Sequence, residues 1–380
     1  MGRLRIPRLV IEVTAACNHA CLHCYNSWRG TGTSCISGRT LSRREIRDLT
    51  ARVRTETRLQ QIALSGGEPL LRPDVPEIVR DLAETGLDVM VITNAALLTP
   101  GVAGRFPPDT VFEVTLFSAD AELHDRIAGR RGAFRHTLEG IVNAHRHRGL
   151  LALTCVVTRL NAHDVTRTME LGVALGAQAV LFNRINLTGH TWPQAERLVP
   201  TLRQLEDALH AADETARRCA IPTVVSIPIP PCLVDPRQYP DLHFGWCPRG
   251  GINSYFTLGC TGLLRPCNHS SIVLGDLRRE SFAALARGAA CRRFWSGMPA
   301  VCRGCHHPLR HQCRGGCPAA AHECFGQPGR LDPFVEHVLK ESGRRPPFTA
   351  GTLPAQTGRE TQSNRRAGAV SERLVSLRPR

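Results

Sequence analysis

The chain is poor in lysine, in long apolar runs and in any export signal. Lys340 is its only lysine, so 47 of its 48 basic residues are arginine. The net charge of +15 would ordinarily point to a polyanionic partner. So one-sided an arginine excess reads instead as coding bias, and a nucleic acid is not the expected partner. Eight arginines against three glutamates follow Lys340, a third of the net charge. No apolar run approaches the ~18 residues of a membrane span. Glu12 interrupts Leu9-Val10-Ile11, which leaves no signal-peptide core. The expectation is a cytoplasmic protein with no membrane partner. Its 380 residues, 42% hydrophobic and 21% charged, have room for a sizeable core and for two domains plus a tail.

What the sequence has in excess is cysteine, 16 in all. Without export the compartment is reducing, so metal ligation or catalysis is a better reading than disulfides. The spacing is uneven, with three cysteines between positions 17 and 24 and ten between 232 and 324.

Between Arg8 and about Ile221, short apolar segments alternate with amphipathic ones. Leu9–Val13, Gln61–Ser65, Val89–Thr93, Val111–Phe117, Leu151–Thr158 and Ala179–Phe182 read as strands. Ser42 and Glu45 form a capping box for a helix, and Asp74 with Glu77 opens the next. Six strand–helix repeats imply an α/β fold, a parallel sheet curled into a partial (β/α)6 TIM-like barrel. Its functional residues belong on loops at the strands' C-terminal ends. After a helix near 200–219, the prolines of Ile227–Pro231 mark a boundary. The division expected is a barrel over 1–225, a cysteine-rich module over 226–330, and a helical remnant with an Arg-rich disordered tail over 331–380. With little periodicity, the module reads as held by metals more than by an apolar core.

Cys17, Cys21 and Cys24 follow the first strand directly. Three thiolates so close can hold three irons of a cubane and leave the fourth open. On spacing alone, a zinc site completed by His19 or His23 stays possible. Ser65-Gly66-Gly67-Glu68-Pro69 ends the second strand, where glycine lets backbone approach a ligand and Glu68 offers an anion to an ammonium group.

On these residues the chain resembles the radical S-adenosylmethionine (SAM) superfamily. The resemblance implies a [4Fe–4S] cluster on Cys17, Cys21 and Cys24, with exchangeable SAM chelating its fourth iron. Gly66, Gly67 and Glu68 would bind the methionine moiety. Asn94, beside Thr93, and Ser118 match further cofactor positions at strand ends, and Arg184 and Asn186, after the sixth strand, are candidates that read equally as satisfied polar groups lining a barrel mouth. The segment His124–Gly129 resembles the family's H-D-x-x-x-G stretch and reads as structural. The chemistry implied is reductive cleavage of SAM to a 5′-deoxyadenosyl radical, which abstracts a substrate hydrogen atom.

Farther on, Cys247 and Cys267 around Gly262, then Cys302, Cys305, Cys313 and Cys317, then Cys324, resemble the SPASM extension with two auxiliary [4Fe–4S] clusters. Seven residues separate Cys305 from Cys313 where the family has five, which reads as a loop insertion. Carried over, the resemblance puts Cys302, Cys305, Cys313 and Cys324 on a distal cluster and Cys247, Cys267 and Cys317 on a proximal one. Cys260 or Cys232 could supply the missing proximal ligand, or the iron could be open to substrate. Cys232, after the proline hinge, is also a candidate hydrogen-atom donor at the barrel mouth. Cys35, Cys155, Cys219 and Cys291 fit no pattern and read as small packing groups.

Enzymes of this kind mostly mature ribosomally made peptides, by crosslinking, epimerisation or oxidation, and that is the leading expectation. The alternative is a dehydrogenase or epimerase that tailors an aminocyclitol or sugar. A flavodoxin- or ferredoxin-like reductase is the implied electron donor. Because the first strand starts almost at once, a separate protein is expected to bind any leader peptide.

Overall fold

A computed structural model describes residues 4–26, 39–248 and 255–344. Cys35 and the Arg-rich segment after residue 344 lie outside the described residues.

Six strands form the heart of the sheet: β1 (Arg8–Thr14), β2 (Gln61–Gly66), β3 (Asp88–Thr93), β4 (Val111–Thr115), β5 (Leu150–Val157) and β6 (Ala177–Arg184). They pair in sequence order, every pair parallel. Parallel strands covered on both faces need apolar residues on both, and alternate residues of β1 serve the two sides. Leu9, Ile11 and Val13 join the helix-side core. Val10 points the other way and packs with Ala63 and Met90 inside the curve of the sheet. The helix-side layer includes Arg43–Glu56, Val75–Glu84, Ala133–Arg146 and Val165–Ala174.

Ser42 caps the first of these helices with the expected reciprocal pair to Glu45. Asp74 also precedes a helix, but its side chain makes no cap bond. Arg72 holds that carboxylate at 2.6 and 3.0 Å, and a guanidinium fork outcompetes a backbone N–H for it.

The sheet does not stop at β6. The short strands β7 (Thr223–Val225) and β8 (Leu242–Phe244) continue it in parallel on one side. On the other side β9 (Phe256–Leu258) pairs with β1, followed by β10 (Leu263–Arg265) and β11 (Gly275–Asp276). The order across the eleven strands is β11-β10-β9-β1-β2-β3-β4-β5-β6-β7-β8. The sheet therefore runs across the expected boundary at 225/226. The module is not held by metal alone either, because Phe256, Leu258, Phe282 and Phe294 share one apolar core with Leu9 and Ile11. A buried Glu12–Arg265 ion pair adds a second tie between β1 and β10.

A further buried ion pair fastens the end of the described chain. Arg184, at the end of β6, pairs with Asp332, the cap of helix Pro333–Ser342, and both are inaccessible to solvent. The guanidinium lies over the Phe334 ring at 4.6 Å and also donates to the carbonyl of Pro228 at 3.1 Å. Asp332 accepts from the Cys317 N–H at 2.8 Å and from the Phe334 N–H at 3.0 Å. Among the described residues, no helix is long and apolar enough to cross a membrane.

A buried charge that loses its partner cannot recover its hydration. Asp332→Ala should therefore lower unfolding stability by about 3–5 kcal/mol, read as a shift in denaturant midpoint. A loss under about 1 kcal/mol would mean that water reaches Arg184 and the pair does not hold the helix.

Candidate functional site

The loop leaving β1 carries Cys17, Cys21 and Cys24, and all three line a cavity of about 350 Å³. The loop is held from outside by the His124–Gly129 segment. Ala20 and Leu22 donate their N–H groups to the carbonyls of Ala128 (3.0 Å) and Ile127 (2.9 Å). Gly129 adopts φ +62°, and a Cβ there would lie 2.3 Å from the Ala20 carbonyl oxygen. His124 is buried with its ring near Phe117 and Phe134, and burial pushes it down to about 4. The segment thus packs against the cysteine loop and does not line the cavity.

The glycine turn after β2 closes on the same loop. Gly67 donates to the Thr14 carbonyl at 2.9 Å and Glu68 to the Ala16 carbonyl at 2.8 Å. A Cβ on Gly67 would stand 2.1 Å from the Ala16 oxygen, and one on Gly66 would stand 2.2 Å from the Thr14 oxygen. Close approach is thus needed first between two stretches of this chain's own backbone, a reason for glycine different from the expected ligand contact.

Glu68 lines the cavity but is well occupied. Its carboxylate accepts from the Thr93 hydroxyl (2.6 Å) and from the N–H groups of Asn94 (2.8 Å) and Leu70 (3.0 Å). Burial raises its pKa against those three bonds, which lower it. A carboxylate has about four lone-pair sites, so roughly one remains for a ligand. Asn94 lines the cavity beside it, its side-chain amide donating to Asn18 at 2.7 Å.

Of the remaining cavity residues, His23 and Asn186 were expected near the site, whereas Tyr25, Asn26 and Glu113 were not anticipated. Tyr25, between Asn268 and Ser65, is pushed up to about 12 by burial. His23 is pushed down to about 4 by burial and so is neutral. Asn26 donates to the Gly66 carbonyl at 3.2 Å, while its Oδ1 is buried without a hydrogen-bond partner. Asn186 lines the wall with its side-chain amide nitrogen likewise unpartnered. Inside the curve, Glu113 of β4 accepts from the Thr154 hydroxyl at 2.9 Å, and burial raises its pKa. A lone acid at an inward position of an apolar strand was the available signal for Glu113.

Two expected cofactor contacts face elsewhere. Ser118 donates its hydroxyl to Asp164 and does not line the cavity. Arg184 is consumed by Asp332, Pro228 and Ile185. Both are structural ties, because fully buried polar groups satisfied within the fold have nothing left for a ligand.

The second cysteine group divides. Cys247, Cys267 and Cys317 line the barrel cavity, opposite the first cysteine loop in sequence but on the same space. Cys260 does not line it; it is buried near Glu12, Arg265 and Arg72. Cys302, Cys305 and Cys313 border a separate small cavity, and Cys232 borders it with them. Cys232 is thus not on the barrel cavity, which removes the expected hydrogen-atom donor: the Pro230-Pro231 turn presents it to the separate cavity instead. Cys324 is not on that outer cavity; its cysteine neighbour is Cys317. Among the described residues, no three His, Cys, Asp or Glu side chains converge on a point that one metal ion would fill; these thiols border cavities. Cys155 and Cys291 are buried, and Cys219 packs at the edge of a core cluster.

Residues 11–172 match the radical SAM superfamily. An AdoMet-dependent heme synthase of Methanosarcina barkeri is 38% identical over 176 residues, 46% of this chain and 49% of that protein, so the match spans about half of that relative. A PqqA peptide cyclase of Granulibacter bethesdensis is 26% identical over 349 residues, 88% of this chain and 89% of that protein. The crystal structure of Streptococcus suis SuiB bound to precursor peptide SuiA superposes with a TM-score of 0.65 at 12% identity, over 87% of this chain and 76% of that one. That likeness is one of fold.

Two outcomes follow. Gly67→Ala forces a methyl group against backbone, so the turn and the cysteine loop must separate; anaerobically reconstituted variant should lose about four irons, the content of one cubane. Full iron retention would show that the turn can give way. Glu113→Gln keeps the bond from Thr154 but cannot ionise. Since burial raises the Glu113 pKa above its ordinary 4.5, the folded state holds a proton that the unfolded state releases, and wild-type stability falls as pH rises through that window. The variant should match wild type in melting temperature near pH 4.5 and exceed it at pH 8; a pH-independent difference would overturn the assignment.

Proposed function

As this chain belongs to the radical SAM superfamily, we propose that it uses SAM-derived radical chemistry to mature a ribosomally made peptide, by crosslinking, epimerisation or oxidation. One observation carries the reading: two separate sets of three cysteines, Cys17, Cys21 and Cys24 and then Cys247, Cys267 and Cys317, open onto one cavity of about 350 Å³. That volume lies within the ~300–1,000 Å³ usual for ligand pockets. The likeness to a peptide cyclase extends over both halves of the chain, which supports a peptide over a small molecule. The heme synthase likeness is the one observation that favours a small-molecule substrate.

The residues fit a [4Fe–4S] cluster with SAM. Three thiols and the glycine turn line one cavity, and Asn26 Oδ1 and Asn186 Nδ2 are buried polar atoms of its lining residues with no hydrogen-bond partner in the protein, which a bound polar ligand would satisfy. When bound, this pair supplies a 5′-deoxyadenosyl radical by one-electron cleavage of SAM, which abstracts hydrogen from substrate.

Cys17, Cys21 and Cys24 would hold three irons and leave the fourth open to the methionine end of SAM. Gly66, Gly67 and Glu68, with Asn94, would receive its ammonium group, Glu68 through its remaining lone pair. The apolar wall of Val10, Ala63, Met90, Ile92 and Leu181 excludes water, as a carbon radical requires. Glu113 and Arg8, on the same wall, would grip a polar part of the substrate. Cys247, Cys267 and Cys317 would carry an auxiliary cluster facing that substrate, and a flavodoxin- or ferredoxin-type reductase would supply electrons.

The test is anaerobic reconstitution of wild type and of the Cys17/Cys21/Cys24→Ala variant, followed by reduction with SAM and candidate precursor peptides. Wild type should hold about twelve irons and the variant about eight. Only wild type should form 5′-deoxyadenosine, in step with a changed peptide mass or stereocentre. Formation of 5′-deoxyadenosine by the variant would sink the reading. Turnover coupled to a small metabolite and to no peptide would leave the chemistry standing and overturn the substrate.

A further inference from the structure

The outer cavity is a built site. It is bordered by Cys232, Cys302, Cys305 and Cys313, with Pro230, Pro231, Gly315 and Arg310 among its walls. Each thiol reaches it for a local reason. Cys302 and Cys305 sit on one tight turn, the Cys305 N–H donating to the Cys302 carbonyl at 3.2 Å. Arg310 pins that turn through the Cys305 carbonyl at 2.9 Å. Cys232 is presented by a turn in which the Leu233 N–H donates to the Pro230 carbonyl at 2.9 Å.

Cys313 and Cys317 are four residues apart and face different cavities. The residues between them explain it: Arg314, Gly315 and Gly316 have φ of +44°, +87° and +88°. Three successive left-handed residues reverse the chain. A Cβ on Gly315 would lie 2.5 Å from Pro299 and 3.3 Å from the Cys302 sulfur, and one on Gly316 would lie 2.6 Å from Asp332. The turn therefore packs Cys313 beside Cys302 and sends Cys317 toward the barrel.

Cys324 cannot follow Cys313. It is borne by helix Pro318–Phe325, which Cys317 caps. Seven residues of helix carry it about 10 Å along the axis on the Cys317 side.

We propose that Cys232 is the fourth thiolate of the outer auxiliary [4Fe–4S] cluster, with Cys302, Cys305 and Cys313, in the place that the SPASM pattern reserves for the last cysteine. This rests on the auxiliary-cluster reading above. The outer cluster is then fully ligated by protein and has no iron open to substrate, so its task is electron transfer. The ligand comes from before the module's first paired cysteine, and the Pro230-Pro231 turn thereby becomes part of the cluster site.

The experiment compares wild type with Cys232→Ala, Cys302→Ala, Cys324→Ala and the Cys232/Cys302→Ala pair, each reconstituted anaerobically. Iron and sulfide are counted and the reduced clusters examined by electron paramagnetic resonance. Cys302→Ala identifies the outer cluster's signal. Cys232→Ala should remove or alter that same signal, and the pair should lose about four irons, no more than one cubane. Cys324→Ala should leave the signal unchanged. Cys232→Ser, which keeps volume and a weaker ligand, should shift the signal without unfolding the chain. An unaltered signal in both Cys232 variants, or its loss in Cys324→Ala, overturns the assignment. About four irons in wild type would instead remove the auxiliary clusters themselves, and the assignment with them.

Discussion

The site depends on a contact with no side chain on one side of it. Gly66 and Gly67 lie against the carbonyls of Thr14 and Ala16 so closely that any Cβ would overlap them. Hard-sphere repulsion at such range is not negotiable, so the end of β2 and the start of the cysteine loop form one rigid unit. Everything at the cavity mouth is referred to that unit. Asn26 hangs from the Gly66 carbonyl, Glu68 reaches from the turn to Thr93 and Asn94, and Asn94 reaches back to Asn18. The first three strand ends are thus locked together by hydrogen bonds before any ligand is considered.

The same economy governs the second cysteine group. Three left-handed residues direct Cys313 to one cavity and Cys317 to the other. Asp332 fixes the hinge between them, binding the Cys317 N–H on one side and Arg184 on the other. A residue pair 148 positions apart thereby couples the last long strand of the barrel to the cysteine that looks into it. The auxiliary module is consequently an extension of the barrel sheet and core, and its thiols are positioned by packing as well as by whatever they bind.

The legible parts were those with a local cause. The six main strands declare themselves as apolar runs, the Ser42–Glu45 box as a cap, and the Cys17–Cys24 spacing and glycine turn as loops at strand ends. Strands β7 to β11, of two or three residues each, are too short to carry a periodicity and are held by neighbours far away in the chain. Asp74 looked like a helix cap, but Arg72 held it at closer range. Ser118 and Arg184 looked like ligand contacts because strand ends favour them, yet each had a buried partner, Asp164 and Asp332, that only folding supplies.

The sequence by itself determined the chemistry class, because three thiols at that spacing and a glycine pair ending a strand act over a few residues. It determined the parallel sheet as well, since alternation of strand and helix is written locally. The sorting of the remaining thiols was decided only in three dimensions. Along the chain, the resemblance put Cys324 on the distal cluster and left Cys232 and Cys260 as alternatives for the proximal one. A proline turn, a buried neighbourhood and a helix direction place them in three different surroundings. Ligand sets are a matter of distance in space, and chain spacing constrains that distance only within a single turn or loop.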